Sequence, residues 1–296
     1  MRILVLGGSG MLGHKLWQAC QNRFDTWVTI RSTYNNYARY NLFDAERTWG
    51  GVDVLNFDTM VRAFATVQPD VVINCVGIIK QLPSAKDPLV SLSINSLFPH
   101  RLANLCTAAG AKLIHISTDC VFSGRKGMYT EDDVSDAEDL YGRSKYLGEI
   151  SQVPHLTLRT SIIGRELQMQ SGLVEWFLSN RGGEVRGYTN AIYSGFTTLA
   201  LAEIITQVIE RHLDLTGLYH VSSAPISKND LLCLIRDIFD LSIDIDPDPT
   251  VHIDRSLDSS RFWSIVDFSP PSWPKMIQDM AADTTPYDNW RNIHAS

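Results

Sequence analysis

From Arg2 to Arg159, short continuous apolar runs alternate with amphipathic stretches. Arg2–Leu6 reads as a buried strand, and Met11–Asn22 as a helix with Leu12, Leu16, Ala19 and Cys20 on one face. Thr26–Arg31 is a second strand. A loop rich in Tyr and Asn follows, then a short third strand at Val52–Leu55 and a helical pattern over Asp58–Val67. Val71–Val76, Leu113–Ser117 and Thr157–Arg159 are the further strands, separated by helical patterns that include Leu97–Ala109 and Leu140–Ile150. Strands that are apolar throughout, without period-2 alternation, belong to a parallel sheet covered on both faces. The predicted fold class is α/β, a Rossmann-like doubly wound parallel sheet.

Beyond Arg159 the rhythm changes. Ser161–Gly195 carries several glycines and polar residues with no clear βα repeat, and Thr198–Arg211 then returns as a helix. Leu218–Val221 reads as one more strand and Lys228–Phe239 as another helix, while Asp246–Pro249 and Ser269–Pro271 read as loops. The expected organisation is a dinucleotide-type domain over 1–161 and 197–221, with a smaller, interleaved C-terminal lobe over 162–196 and 222–296 for substrate.

A chain of 296 residues, 44% hydrophobic and 20% charged, is ordinary for a globular protein. A net charge of −7 with no basic run argues against a nucleic-acid surface. No apolar run approaches the ~20 residues of a membrane span, and Ile3–Leu6 is too short for a signal segment. Cys20, Cys75, Cys106, Cys120 and Cys233 are scattered and odd in number, which reads as reduced thiols and a cytoplasmic protein. Asp244, Asp246 and Asp248 alternate as metal ligands can, but the prolines between them and the lack of a terminal glutamate read as an acidic loop, so no metal is expected.

Gly7-Gly8-Ser9-Gly10-Met11-Leu12-Gly13 sits between the first strand and the first helix. It satisfies both Gly-x-Gly-x-x-Gly (Gly8, Gly10, Gly13) and Gly-x-x-Gly-x-x-Gly (Gly7, Gly10, Gly13). Such a turn lets backbone approach a pyrophosphate, which then faces the N–H groups of the helix end. At the end of the second strand, where an NAD enzyme usually carries an acid for the ribose, stand Arg31 and Ser32. A guanidinium there suits a 2′-phosphate, so NADPH is the expected cofactor. Asp53 and Val54 are candidate adenine contacts, and Cys75, Val76 and Gly77 end a strand at the cofactor edge.

Tyr141 and Lys145 lie four apart on a predicted helix and share a face. A free phenol ionises near pH ~10, and a neighbouring ammonium lowers that value toward the working range. The same ammonium can hold the nicotinamide ribose. Thr118, at the C-terminal end of a parallel strand, can hydrogen-bond a reacting oxygen. Together these residues describe a carbonyl-reducing site.

At these residues the chain resembles the extended short-chain dehydrogenase/reductase family, and most closely its dTDP-4-dehydrorhamnose reductase group. The matching stretches are Ile3–Gly13, Val71–Gly77, Leu113–Gly124, Asp139–Glu149 and Leu158–Ser161, with weaker likeness at Gly217–Val221 and Arg255–Phe262. The resemblance implies Thr118, Tyr141 and Lys145 as the catalytic triad, the glycines as the cofactor loop, and Asn95 as the family's asparagine on the central helix. It implies a nucleotide-diphosphate sugar as substrate, reduced at C4 for surface polysaccharide. Two positions depart from the group. Ile162 stands where a tryptophan commonly lies against the sugar, and Cys120 where the related dehydratases carry a glutamate.

For the substrate phosphates, Arg255 and Arg261 are the candidate cations, with Lys80 a further one; Asp119, Cys120, Asn190 and Tyr193 are candidate lining residues. A 4-epimerase with retained NAD and a non-catalytic subunit that senses NADPH use the same framework and stay open as alternatives. Oligomeric state is open too, a homodimer included.

Overall fold

The computed structural model describes residues 1–80, 83–168 and 171–292. They form two compact units. The first comprises Met1–Ser117, Glu138–Leu158 and Ala202–Leu218; the second comprises Thr118–Ala137, Arg159–Leu201 and the chain from Tyr219 on. Residues 118–137, expected with the dinucleotide-type domain, thus pack with the second unit, as do 159–161, 197–201 and 219–221.

In the first unit the apolar runs become strands β1 (Arg2–Leu6), β2 (Asp25–Thr29), β3 (Thr48–Trp49), β4 (Val71–Asn74), β5 (Lys112–Thr118) and β6 (Leu156–Thr160). With Gly217–His220 outside β6 they make one seven-stranded sheet, in the order Gly217–His220, β6, β5, β4, β1, β2, β3. The pairs from β5 across to β3 are parallel, which is the doubly wound arrangement. Helices α1 (Gly13–Cys20), α2 (Phe57–Val67), α3 (Pro88–Ser91), α4 (Phe98–Ala108) and α5 (Leu140–Leu147) flank it. One apolar core joins Leu4, Leu6, Val72 and Leu113 of the strands to Met60, Phe64, Phe98 and Leu102 of the helices. The switch between β1 and β4, where chain direction across the sheet reverses, is where such folds open a crevice.

Two expectations are corrected. The third strand is Thr48–Trp49, and Val52–Leu55 is not a strand. Asp53 accepts a bond from Leu55 N at 3.0 Å, and Thr59 Oγ1 receives Asp53 N at 3.0 Å. These local side-chain bonds bend the backbone out of a ladder and into α2. The helix expected from Leu97 instead starts at Pro88, capped by Asp87, and runs through a π-helical turn at Leu92–Leu97 before α4. Pro99 lacks the N–H that would bond the Asn95 carbonyl and its ring crowds that oxygen, so the preceding turn widens rather than breaks.

The second unit contains β7 (Ile162–Ile163), α6 (Leu173–Leu178), β8 (Glu184–Tyr188), β9 (Ala191–Tyr193) and β10 (Phe196–Thr197). α7 (Thr198–Arg211) and β11 (Gly217–His220) carry the chain back through the first unit's sheet. β12 (Ile226–Ser227), α8 (Lys228–Ile238), β13 (Asp244–Asp248), β14 (Ile253–Asp254), α9 (Ser260–Trp263), α10 (Trp273–Ala281) and α11 (Tyr287–Asn292) complete it. Its strands form small sheets: β7 with β10, β12–β9–β14, and β8 with β13. β13 overturns the loop expected at Asp246–Pro249, since Asp244–Asp248 pairs in parallel with Glu184–Tyr188. In a two-stranded sheet every strand is an edge, and an edge tolerates a proline with no N–H to give.

His220 anchors a buried polar knot in this unit. Its Nδ1–H donates to Tyr129 O at 2.9 Å, and its Nε2 accepts from Arg159 at 3.2 Å. Phe122 stacks on Tyr129 with ring centres 4.2 Å apart, and the Arg159 guanidinium lies over Phe122. Burial, and then the Arg159 cation, push the His220 imidazole down to about 4. The unfolded chain therefore takes up this proton first, and stability is lost as pH falls from about 6.5 toward 4. Denaturant unfolding at pH 7 and at pH 5 should differ by about 2 kcal/mol on account of this residue. His220→Gln should flatten that difference by the same amount; an unchanged slope would show that the imidazole titrates normally.

Candidate functional site

Gly7, at φ +77°, turns the chain out of β1, and Gly10 N closes the turn on Gly7 O at 2.9 Å. A Cβ on Gly13 would stand 2.1 Å from Gly7 O, so only glycine lets α1 approach β1 this closely. A Cβ on Gly8 would lie 1.9 Å from Val28. His14, fully buried, donates from Nδ1 to Gly10 O at 2.8 Å and fixes the loop from behind. Ser9 and Met11 are half-buried and Gly10 is exposed on this turn, whereas Leu12 packs into the core. The turn therefore offers backbone, with no side chain in the way, at the N-terminus of α1.

Arg31 follows β2 as an exposed side chain, and Ser32 Oγ accepts from Asn36. Asp53 is occupied in the turn before α2, with Val54 half-buried beside it. After β4, Val76 N donates to Asn74 Oδ1 at 3.0 Å, and Asn74 Nδ2 donates to His115 Nδ1 at 3.0 Å. Asn74 and His115 are register partners on β4 and β5, both fully buried. This pair shapes the Cys75–Gly77 segment. Two polar residues inside apolar runs gave the sequence no period to announce them.

Asn95 ties the same segment to α5. Its Oδ1 accepts from Ile78 N at 2.9 Å, and its Nδ2 donates to Ile78 O and to Ser144 Oγ, each at 3.2 Å. Its side chain is thus spent on structure. Ser96 Oγ donates to Ser144 O at 2.7 Å. A Cβ on Gly148 would lie 1.9 Å from Asn95 O, so that glycine admits the carbonyl freed by Pro99. Asp139 caps α5 by accepting from Gly142 N at 2.8 Å, and Lys80 pairs with the same carboxylate.

On α5, Tyr141 is half-buried and Lys145 is buried. Lys145 Nζ donates to Ile116 O at 2.7 Å. Burial pushes its ammonium down to about 8, opposed by the nearby Glu149 and Cys75. Cys75 is itself raised by burial, as are Cys20 and Cys106.

In the second unit, Thr118 caps the turn Asp119–Val121. Its Oγ1 accepts from Cys120 N and donates to Asp119 Oδ1, both at 3.1 Å. Asp119 is buried and its carboxyl raised by that burial, while Arg255, Cys120, Thr118 and Ser161 act the other way. Burial, and next Asp119, raise the Cys120 thiol to about 12. Arg255 donates from Nε to Phe122 O at 2.8 Å, and its charge acts on Asp119. Arg261 lies over the Tyr219 ring at 4.9 Å. Asn190 Nδ2 donates to Pro249 O at 3.1 Å, a bond that ties two surface loops. Among the described residues no group of three or more His, Cys, Asp or Glu could hold a metal, and no helix is long and apolar enough to cross a membrane.

Residues 1–285 match the family described as RmlD substrate binding domain. The chain belongs to that family. Spore coat polysaccharide biosynthesis protein SpsK of Bacillus subtilis (strain 168) is 33% identical, over 76% of this chain and 74% of its own length. Methionine adenosyltransferase 2 subunit beta of Danio rerio is 28% identical, over 81% of this chain and 74% of its own. Among solved structures, dTDP-4-dehydrorhamnose reductase of Bacillus anthracis str. Ames, in complex with NADP, superimposes with a TM-score of 0.78 at 21% identity, covering 96% of this chain and 99% of that one.

Lys145, in the first unit of this RmlD-family chain, is a desolvated ammonium. A base whose value is depressed by folding weakens the protein at every pH below that value, and the cost fades as pH rises toward the free-lysine range. At pH 7 the cost is about 3 kcal/mol. Lys145→Met should therefore raise the urea-unfolding free energy at pH 7 by about that much, with the gain shrinking above pH 8. A variant less stable than the parent at neutral pH would show that the ammonium is fully compensated.

Proposed function

We propose that this chain is an NADPH-dependent reductase of the 4-keto group of a nucleotide-linked deoxysugar, serving polysaccharide precursor synthesis. The observation that carries the reading is Lys145: a buried ammonium one helical turn from Tyr141, held by a carbonyl of the strand that continues to Thr118. The names of the relatives support it, one a polysaccharide biosynthesis protein and one a dTDP-4-dehydrorhamnose reductase with NADP.

The residues fit a dinucleotide. A cradle in which added Cβ atoms would strike backbone at 2.1 Å is suited to a pyrophosphate lying on bare peptide groups. Gly7–Gly13 would hold the phosphates, Arg31 and Ser32 the 2′-phosphate, and Lys145 the nicotinamide ribose. When bound, the reduced cofactor supplies a hydride to the carbonyl carbon.

The chain supplies the rest. Thr118 donates a hydrogen bond to the ketone oxygen, where negative charge develops. Tyr141 gives that oxygen its proton and becomes a phenolate. The Lys145 ammonium stabilises the phenolate, because in a dry site a cation acts on its neighbour far more strongly than in water. Cys120, raised by burial, is too weak an acid at neutral pH to serve in place of the glutamate of a dehydratase, so the proposed chemistry stops at reduction.

A second reading rests on the 28% identity to a methionine adenosyltransferase subunit: a binding subunit that keeps the dinucleotide cradle without turnover. NADPH oxidation with dTDP-4-dehydrorhamnose and with other 4-keto nucleotide sugars separates the two. Turnover is expected, with Tyr141→Phe slower by at least ~100-fold at unchanged NADPH affinity. Arg31→Ala should raise the KM for NADPH about tenfold and leave that for NADH alone. A protein that binds NADPH tightly yet reduces none of these ketones is the subunit; one purified with NAD firmly held is the epimerase.

A further inference from the structure

Tyr193 ends β9 with a hydroxyl that is fully buried and has no hydrogen-bond partner. Leaving a buried donor unmade is costly, and most proteins avoid it. Here the position is built rather than accidental. A Cβ on Gly195 would lie 2.1 Å from the phenol oxygen and 2.3 Å from Ser161 O, so the chain gives up a side chain to seat that hydroxyl. Phe196 N bonds Ser161 O at 2.9 Å and holds the seat in place, and Trp273 covers the ring with centroids 5.5 Å apart. Ser161 acts on the hydroxyl from beyond hydrogen-bond geometry, and burial, with Asp119 next, keeps the phenol protonated.

The cluster has one more donor than it uses. At rest Thr118 spends its only hydroxyl proton on Asp119 Oδ1 at 3.1 Å. A hydroxyl has one proton to give, so Thr118 can donate to a substrate oxygen only by abandoning that carboxylate. The carboxylate it abandons is buried and keeps Arg255, Cys120 and Ser161, but the lost donor leaves one of its acceptor sites unmet unless another replaces it. We propose that Tyr193 is a positioning residue, its idle hydroxyl being the donor that takes over Asp119, directly or through Ser161, when Thr118 turns to the substrate. The proposal rests on the reductase reading for Thr118. It adds a residue whose bond exists only with substrate bound, an interaction that raises kcat rather than affinity.

The test is Tyr193→Phe, which removes one oxygen and no bond of the resting protein. Its unfolding midpoint should equal or exceed the parent's, and its NADPH affinity should be unchanged. With dTDP-4-dehydrorhamnose as probe, kcat should fall about tenfold and KM stay within twofold. In an Asp119→Asn background, where the residue facing Thr118 carries no charge, the same substitution should cost nothing further. Parent-like turnover in Tyr193→Phe, or an equal loss in both backgrounds, overturns the proposal while leaving the reductase reading intact. A destabilised Tyr193→Phe also overturns it, because the hydroxyl would then be bonded at rest. A parent protein that reduces neither the probe nor any other 4-keto nucleotide sugar removes the reductase reading, and this proposal with it.

Discussion

An ammonium kept out of water is the constraint around which the first unit is arranged. Lys145 has one carbonyl bond, to Ile116 O, and one carboxylate a helical turn away, Glu149, which itself accepts from Ser117 Oγ at 2.7 Å. So little compensation leaves a net cost, and a costly group stays where it is only if its helix cannot shift. α5 is pinned accordingly. Asp139 caps its start, Asn95 and Ser96 bond Ser144 at its middle, and Gly148 lets the Asn95 carbonyl close on its end. Burial, and next the Lys145 ammonium, hold the His115 imidazole neutral. Asn74 exploits that neutrality, since its amide needs an acceptor at Nδ1. The cofactor-edge segment, the central helix and the Tyr141 helix are thereby parts of one polar scaffold.

What the sequence made legible follows from where a single force dominates. Strands buried on both faces are apolar throughout, and β1, β4, β5 and β6 announced themselves that way. Thr198–Arg211 was read with its ends in place because its helical period is clean. The glycine turn was legible because backbone needs, not packing, dictate its residues. Where two forces compete, the reading failed. Val52 is apolar and buried as a strand residue would be, yet Asp53 and Thr59 take the local backbone for a turn. Asp244–Asp248 carries loop residues, and only its pairing with Glu184–Tyr188, distant in sequence, makes it a strand.

The same distinction applies to the candidate site. That Tyr141 and Lys145 share one helix was legible because four residues on a helix is a fixed geometry. Asn95 was found by likeness alone, and each amide hydrogen bond it makes goes to protein. Lys80, a candidate for phosphate, pairs with the helix cap Asp139. Asn190 bonds a neighbouring loop. Such side chains look free in a sequence because their partners lie tens of residues away. The Asn74–His115 pair was illegible for the opposite reason: inside apolar runs, two polar residues look like interruptions until the register sets them opposite each other.

The reductase and subunit readings differ in what they ask of Lys145. Holding a ribose needs a cation within reach of two hydroxyls, and an exposed lysine does this without loss of stability. Desolvation adds nothing to that task, because it weakens the charged form that the hydroxyls bind. It matters to a neighbouring acid, whose ionised form gains from a cation in proportion to how little water screens the pair. On the reductase reading, then, the desolvation serves the Tyr141 phenol, and the ribose needs only the cation. In a subunit that only binds, any mutation that let water reach Lys145 would stabilise the fold and leave binding untouched. Nothing would hold the ammonium in its dry position against such changes, whereas a proton donor at Tyr141 would.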